Sequence, residues 1–116
     1  MRIFVDGNPK EVCCIAASDI GVLSSKVERA KLDGENTNNI AEYRAILFGL
    51  YKHPEATEVC SDSQLIVRQL NGEYAVKQEH LKVLRDKVLE RVKKLGHPVK
   101  FTWVSRVGNS AGRILG

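Results

Sequence analysis

Several things are scarce in this chain, and each absence removes a class of function. No window approaches the roughly 18 apolar residues that a membrane span needs. The opening residues, MRIFVDGN, reach an acid and a glycine after three apolar side chains, which does not read as a signal peptide. Cysteine occurs only at Cys13, Cys14 and Cys60. An odd number without C-x-x-C spacing argues against both a disulfide framework and a zinc site. The three read instead as small core residues in a reducing compartment, and a cytoplasmic location is expected. Acid is missing from the last quarter: after Glu90 come Arg91, Lys93, Lys94, Lys100, Arg106 and Arg113 with no Asp or Glu among them. The net charge is +4. A one-signed tail of this kind suits a polyanion, nucleic acid first, with a solvated basic helix as the plainer alternative. There is no internal repeat, low-complexity tract or interdomain linker.

What remains is ordinary for a globular protein. Hydrophobic residues make up 43% and charged residues 28% of the 116 positions. That length supports one domain with a single core, so residues 1–116 are read as one unit. RIFVD is a strand with Ile3 and Val5 on one side and Phe4 and Asp6 on the other. Asp6-Gly7-Asn8-Pro9 is a turn. EVCCIAAS is a second strand, and GVLSSKVERAKLDGE, with the polar content of an edge, is a third. Thr37 or Asn38 caps a helix that His53-Pro54 ends. TEVCSD is a fourth strand and SQLIVRQLNG a short helix. KQEHLKVLRDKVLERVKKL is amphipathic, with Leu81, Leu84, Val88, Val92 and Leu95 on its inner stripe. VKFTWV is a fifth strand, and NSAGRILG a terminal helix weakened by Gly112. Three strands in succession make an antiparallel meander, and helical crossovers make the later strands parallel to their neighbours. The fold class is α/β: a five-stranded mixed sheet flanked by helices.

One residue does not fit its surroundings. In TNNIAEYRAILFGL (37–50), Glu42 sits in a helix that is apolar nearly all round. A lone buried carboxylate is costly, so it needs a partner, a proton or a metal. Asp6 ends the first strand and Asp62 the fourth; if those strands are adjacent and parallel, both acids project from one sheet edge within reach of Glu42. Three acids so close cannot all stay ionised without a cation. An oxygen-only cluster suits Mg²⁺. Taken singly, Asp6-Gly7 also reads as a turn, Asp62-Ser63 as a helix cap, and Glu42 as a dipole partner.

FVDG at 4–7, TNNIAEYRAILFGL at 37–50, SDSQLIVRQLNGEY at 61–74 and TWVSRVGNSAG at 102–112 occur in an order that resembles the type-1 ribonucleases H, of the compact kind found in archaea and some bacteria. The resemblance spans nearly the whole chain. It implies the ribonuclease H-like superfold and a metal-dependent endonuclease that cuts the RNA strand of RNA/DNA hybrids. By resemblance, Asp6, Glu42 and Asp62 are the catalytic metal ligands, holding Mg²⁺ or Mn²⁺, two ions when substrate is bound. Asp6 would bridge both ions. Thr37, Asn38, Asn39 and Gln64 would contact the hybrid, where a 2′-hydroxyl distinguishes RNA from DNA. Arg106 is expected on a phosphate, and Asn109 is also expected among the nucleic-acid contacts. A plain helix cap remains the alternative for Thr37–Asn39. A monomer is expected, with no protein partner.

The chain departs from that family's pattern in three places. An Asn-x-Ala-Asp pattern on the last helix becomes Asn109-Ser110-Ala111-Gly112, which removes a fourth acid. Three outcomes stay open: an enzyme with weakened activity or a preference for Mn²⁺; substitution by the terminal carboxylate of Gly116; or a module that binds hybrids without cutting them. The loop Val104–Gly108 lacks a histidine that some relatives carry, and His53, His80 and His97 read as structural. No basic protrusion fits between Asn71 and Lys77, leaving Lys82, Arg85, Lys93 and Lys94 as partial substitutes.

Overall fold

A computed structural model describes residues 1–18 and 21–115. The elements run β1 (Arg2–Gly7), β2 (Glu11–Ser18), β3 (Gly21–Lys31), α1 (Asn38–Lys52), β4 (Glu58–Ser61), α2 (Gln64–Leu70), α3 (Glu79–Leu95), β5 (Lys100–Trp103) and α4 (Ser110–Leu115). Their sheet order is β3-β2-β1-β4-β5. The β1–β2 and β2–β3 pairs are antiparallel, while β4 lies parallel to both β1 and β5. This is the expected mixed sheet. The third strand stops at Lys31, just ahead of the break at Asp33-Gly34, and α3 starts at Glu79 after its cap residue Gln78.

Strand alternation sorts the core into two layers. Ile3 and Val5 of β1, with Val12, Cys14 and Ala16 of β2, point to the face that α1 covers, and α3 packs in turn against α1. Phe4, Cys13 and Ile15 point to the other face, against Ala111 and Leu115 of α4. Adjacent Cys13 and Cys14 therefore face opposite sides of the sheet, and all three cysteines are free and buried. Helix α1 rests on β1 through Gly49, where a Cβ would come within 2.8 Å of Ile3 Cδ1 and 2.9 Å of Val5 Cγ1. On α3, Leu81 and Val88 are buried, and Leu84, Val92 and Leu95 pack at the core's margin, which accounts for the whole apolar stripe. The Tyr43 hydroxyl donates to Gln69 Oε1 at 2.7 Å, tying α1 to α2 through a buried polar contact.

Candidate active site

Parallel pairing of β1 and β4 brings the ends of both strands to one edge of the sheet. Asp6 lies near the end of β1, and Asp62 follows the last residue of β4. Helix α1 begins over the same edge because Thr37 caps it, its Oγ1 accepting from the Ile40 N–H at 3.2 Å. Glu42, one turn in, therefore points at the strand ends. One carboxylate oxygen from each of Asp6, Glu42 and Asp62 lies within 4.8 Å of the other two. The helix can come this close because residue 7 is glycine: a Cβ there would collide with the Ala41 carbonyl.

Two of the three acids, Glu42 and Asp62, are held by fixed donors. Glu42 Oε1 accepts from the Gly7 N–H at 3.2 Å, and its Oε2 from the Ser61 hydroxyl at 3.4 Å. Asp62 Oδ2 accepts from Asn109 Nδ2 at 3.1 Å, and the Asp62 carbonyl from Trp103 Nε1 at 3.3 Å. Asn109 Nδ2 also donates to the Val5 carbonyl at 3.0 Å, while Asn109 Oδ1 accepts from the Ala111 N–H at 3.2 Å. Asn109 is fully buried, with its amide spent inside the protein. Its expected contact with nucleic acid is therefore corrected: it locks Asp62 and the start of α4 to β1.

Burial pushes the Glu42 carboxyl up to about 8, helped by the neighbouring charges of Asp6 and Asp62 against the opposing pull of the Gly7 N–H. Asp6 is also raised, first by burial and then by Asp62; a hydrogen bond from Glu42 and the charge of Arg106 pull the other way. With no cation bound, burial and the crowding of acids favour a proton on Glu42. A divalent cation among the three groups would take over what that proton does. The donors are all oxygens, so the residues fit Mg²⁺ or Mn²⁺ and offer nothing to a soft metal.

The cluster floors a shallow cavity of about 230 Å³, lined also by Gly7, Asn8, Asn38, Arg106 and Leu115. Asn38 and Arg106 are exposed on its rim. Thr37 and Asn39 do not line it, and the Thr37 side chain is occupied as the cap. Gln64 is exposed in a second groove, of about 270 Å³, that it shares with Arg68, Asn71, Lys100 and half-exposed Trp103. Position 112 faces the acids: a Cβ on Gly112 would stand 3.3 Å from Asp62 Oδ2. Gly116 lies outside the described residues. None of the three histidines lines the cavity. Of the basic residues on α3, Lys82, Arg85 and Lys94 pair with Glu79, Asp86 and Glu90 on the same helix, so their charge is already offset. Ser61 and Gly7 are site residues that the sequence reading passed over. The serine's only signal is its place beside Asp62, since its inward direction depends on strand register.

Residues 15–115 match a family model described as reverse transcriptase-like. The chain is similar to the N-terminal RNase H domain of a Mycobacterium tuberculosis protein, solved as a fusion with maltose-binding protein; identity is 28%, the match covers 97% of this chain and 87% of that one, and the TM-score is 0.78. It is similar at 28% identity to LC11-RNase H1, isolated from compost by a metagenomic approach, over 98% of this chain and 90% of that one, with a TM-score of 0.82. A structure of LC11-RNase H1 in complex with an RNA/DNA hybrid aligns at 24% identity over 99% of both chains, with a TM-score of 0.81.

Proposed function

Since the chain belongs to the reverse transcriptase-like family and carries the ribonuclease H fold, we propose that it is a ribonuclease H that hydrolyses the RNA strand of RNA/DNA hybrids at Asp6, Glu42 and Asp62. The convergence of those three carboxylates in an open cavity carries the reading. Support also comes from the full-length likeness to RNase H1 structures, one of which holds a hybrid. Free, buried thiols suit the reducing cytoplasm, and the chain is taken to act as a monomer.

In the mechanism, Asp6, Glu42 and Asp62 would hold Mg²⁺ or Mn²⁺. Bound there, such cations polarise a phosphoryl oxygen, lower the pKa of an attacking water and offset charge on the leaving oxygen. The protein's own part is arrangement. The Gly7 N–H and Ser61 hydroxyl fix both oxygens of Glu42, and Asn109 fixes Asp62, so little reorganisation is needed when substrate arrives. Arg106, on the cavity rim, is the residue to steady the scissile phosphate by a charge-assisted hydrogen bond. Asn38, and Gln64 in the neighbouring groove, contact sugar edges, where the 2′-hydroxyl is presented. Thr37 and Asn39 act through the helix start that positions Asn38.

A second reading rests on Gly112. The backbone there offers no carboxylate to complete a two-cation site, so one of the two positions is short of a protein ligand. The chain would then be a slow or Mn²⁺-preferring enzyme, or a module that binds hybrids without cutting them. Incubation with a labelled hybrid in Mg²⁺ and in Mn²⁺ separates these. Cleavage that Asp6→Asn abolishes supports the enzyme. Binding without cleavage in either metal supports the module, and cleavage of duplex DNA but not hybrid would replace the proposed substrate.

A further inference from the structure

A second cluster lies at the opposite end of α1 from Glu42, roughly 16 Å away at 1.5 Å of rise per residue. We propose that Cys14, Glu28 and His53 form a binding site for a zinc-class divalent cation, which clasps edge strand β3 to the end of α1. Cys14 of β2 and Glu28 of β3 are directly paired across the antiparallel ladder, so their side chains share one face of the sheet. His53 is the C-cap residue of α1 and turns down onto that face. One ligand-type atom from each of the three lies within 4.8 Å of the others.

The donor set differs in kind from the first cluster. Sulfur, imidazole nitrogen and a carboxylate oxygen are the ligands a borderline-soft cation takes, whereas Mg²⁺ wants oxygens alone. His53 is only 6% exposed, and its Nε2 has no hydrogen-bond partner among the described residues. That atom lies 2.9 Å from Glu28 Oε1, so the imidazole and the carboxylate converge on one point. The other ring nitrogen, Nδ1, faces Glu55 Oε1 at 3.5 Å. A carboxylate behind the imidazole is how ligating histidines are commonly oriented, with the far nitrogen left free for the metal.

With bond lengths of about 2.0–2.3 Å, tetrahedral ligands stand roughly 3.3–3.8 Å apart, so the 2.9 Å between His53 Nε2 and Glu28 Oε1 must open by a few tenths of an ångström, and water would complete the fourth position. Charge balances as well. A divalent cation displaces the Cys14 proton to solvent, and the resulting thiolate and the Glu28 carboxylate neutralise it against a neutral His53. Lys52 Nζ, 3.9 Å from Glu28 Oε2, is on a half-exposed side chain that can swing away as the cation enters. Sequence spacing gives no warning of such a site, because its three ligands come from three separate elements.

Co²⁺ titration of chelator-treated protein tests this by absorbance. A thiolate–Co²⁺ charge-transfer band in the near ultraviolet is expected, reaching its plateau at one equivalent and removed by added Zn²⁺. The band should persist in Cys13→Ser and in Asp6→Asn, since the oxygen-only cluster has no thiolate to give it. It should vanish in Cys14→Ser and His53→Gln. In Glu28→Gln, apparent affinity should fall by more than the roughly 10–100-fold that loss of an outer partner costs. Glu28 is near the sheet edge, so this variant still reports if Cys14→Ser fails to fold. No band in the wild-type protein, or a band that survives both His53→Gln and Glu28→Gln, overturns the proposal and leaves a buried ion pair. Neither result bears on hybrid cleavage.

Discussion

Replacing Glu42 with glutamine should stabilise the cation-free protein at neutral and alkaline pH while abolishing its catalysis. In the folded chain, burial and two acidic neighbours hold Glu42 protonated up to about pH 8, whereas the unfolded chain releases that proton near the ordinary value of 4.5. The native state therefore binds more protons than the unfolded state between those two values. Stability is fully present below pH 4.5 and falls as pH rises, by up to about 1.4 kcal/mol per pH unit, levelling off above the folded value. Across the window the loss amounts to roughly 2–5 kcal/mol, a sizeable part of the 5–15 kcal/mol that domains possess. Glutamine copies the protonated acid: its carbonyl oxygen can still accept from Gly7, and its NH₂ can donate to Asp6. Urea denaturation in EDTA from pH 4 to 9 is the assay. Wild type and Glu42→Gln should coincide near pH 4 and diverge by a few kcal/mol at pH 8, on the order of 10 °C in Tm. Saturating Mn²⁺ should flatten the wild-type curve and leave the variant unmoved. Parallel pH curves for the two proteins would refute the account of a proton held in place of a cation.

Gly112→Asp should raise Mg²⁺-dependent hybrid cleavage at least about tenfold if position 112 faces the metal, a gain of roughly 1.4 kcal/mol in the barrier; an unchanged rate in a single-turnover assay would mean that α4 does not present it there. Asn109→Ala removes hydrogen bonds to Val5, Asp62 and Ala111 together, so a loss of about 2–4 kcal/mol by denaturant titration is expected, with weaker cation binding. Arg106→Ala should weaken hybrid binding and reduce the slope of log K against log salt by about 1, leaving the stability of the free protein within about 0.5 kcal/mol. Gly7→Ala should destabilise the fold by about 1–3 kcal/mol and displace Glu42, because the new methyl group meets the Ala41 carbonyl.

The parts of this molecule that could be read from its sequence are those set by local pattern. The alternation of Ile3 and Val5 against Phe4 and Asp6 gave β1 its two faces, and helical crossovers made β4 and β5 parallel. From those follow the shared edge of Asp6 and Asp62 and the reach of Glu42. Thr37, one of two candidate caps, is the one that accepts from Ile40. Legibility stopped where side-chain direction depends on packing. Asn109 was expected among the nucleic-acid contacts that the resemblance implies; the approach of α4 to β1 turns its amide inward. Ser61 and the Gly7 N–H became supports for Glu42 through register and helix docking, which no single segment encodes. Cys14, Glu28 and His53 lie too far apart in the chain for any spacing rule to join them.

The central claim is that oxygens from Asp6, Glu42 and Asp62 together hold a divalent cation against a phosphodiester. Anomalous diffraction from crystals grown with Mn²⁺ and an RNA/DNA hybrid tests it directly. The expected result is a Mn²⁺ peak within bonding distance of all three carboxylates, with a hybrid phosphate oxygen completing its shell. A peak elsewhere, or a hybrid bound away from these acids, would contradict it.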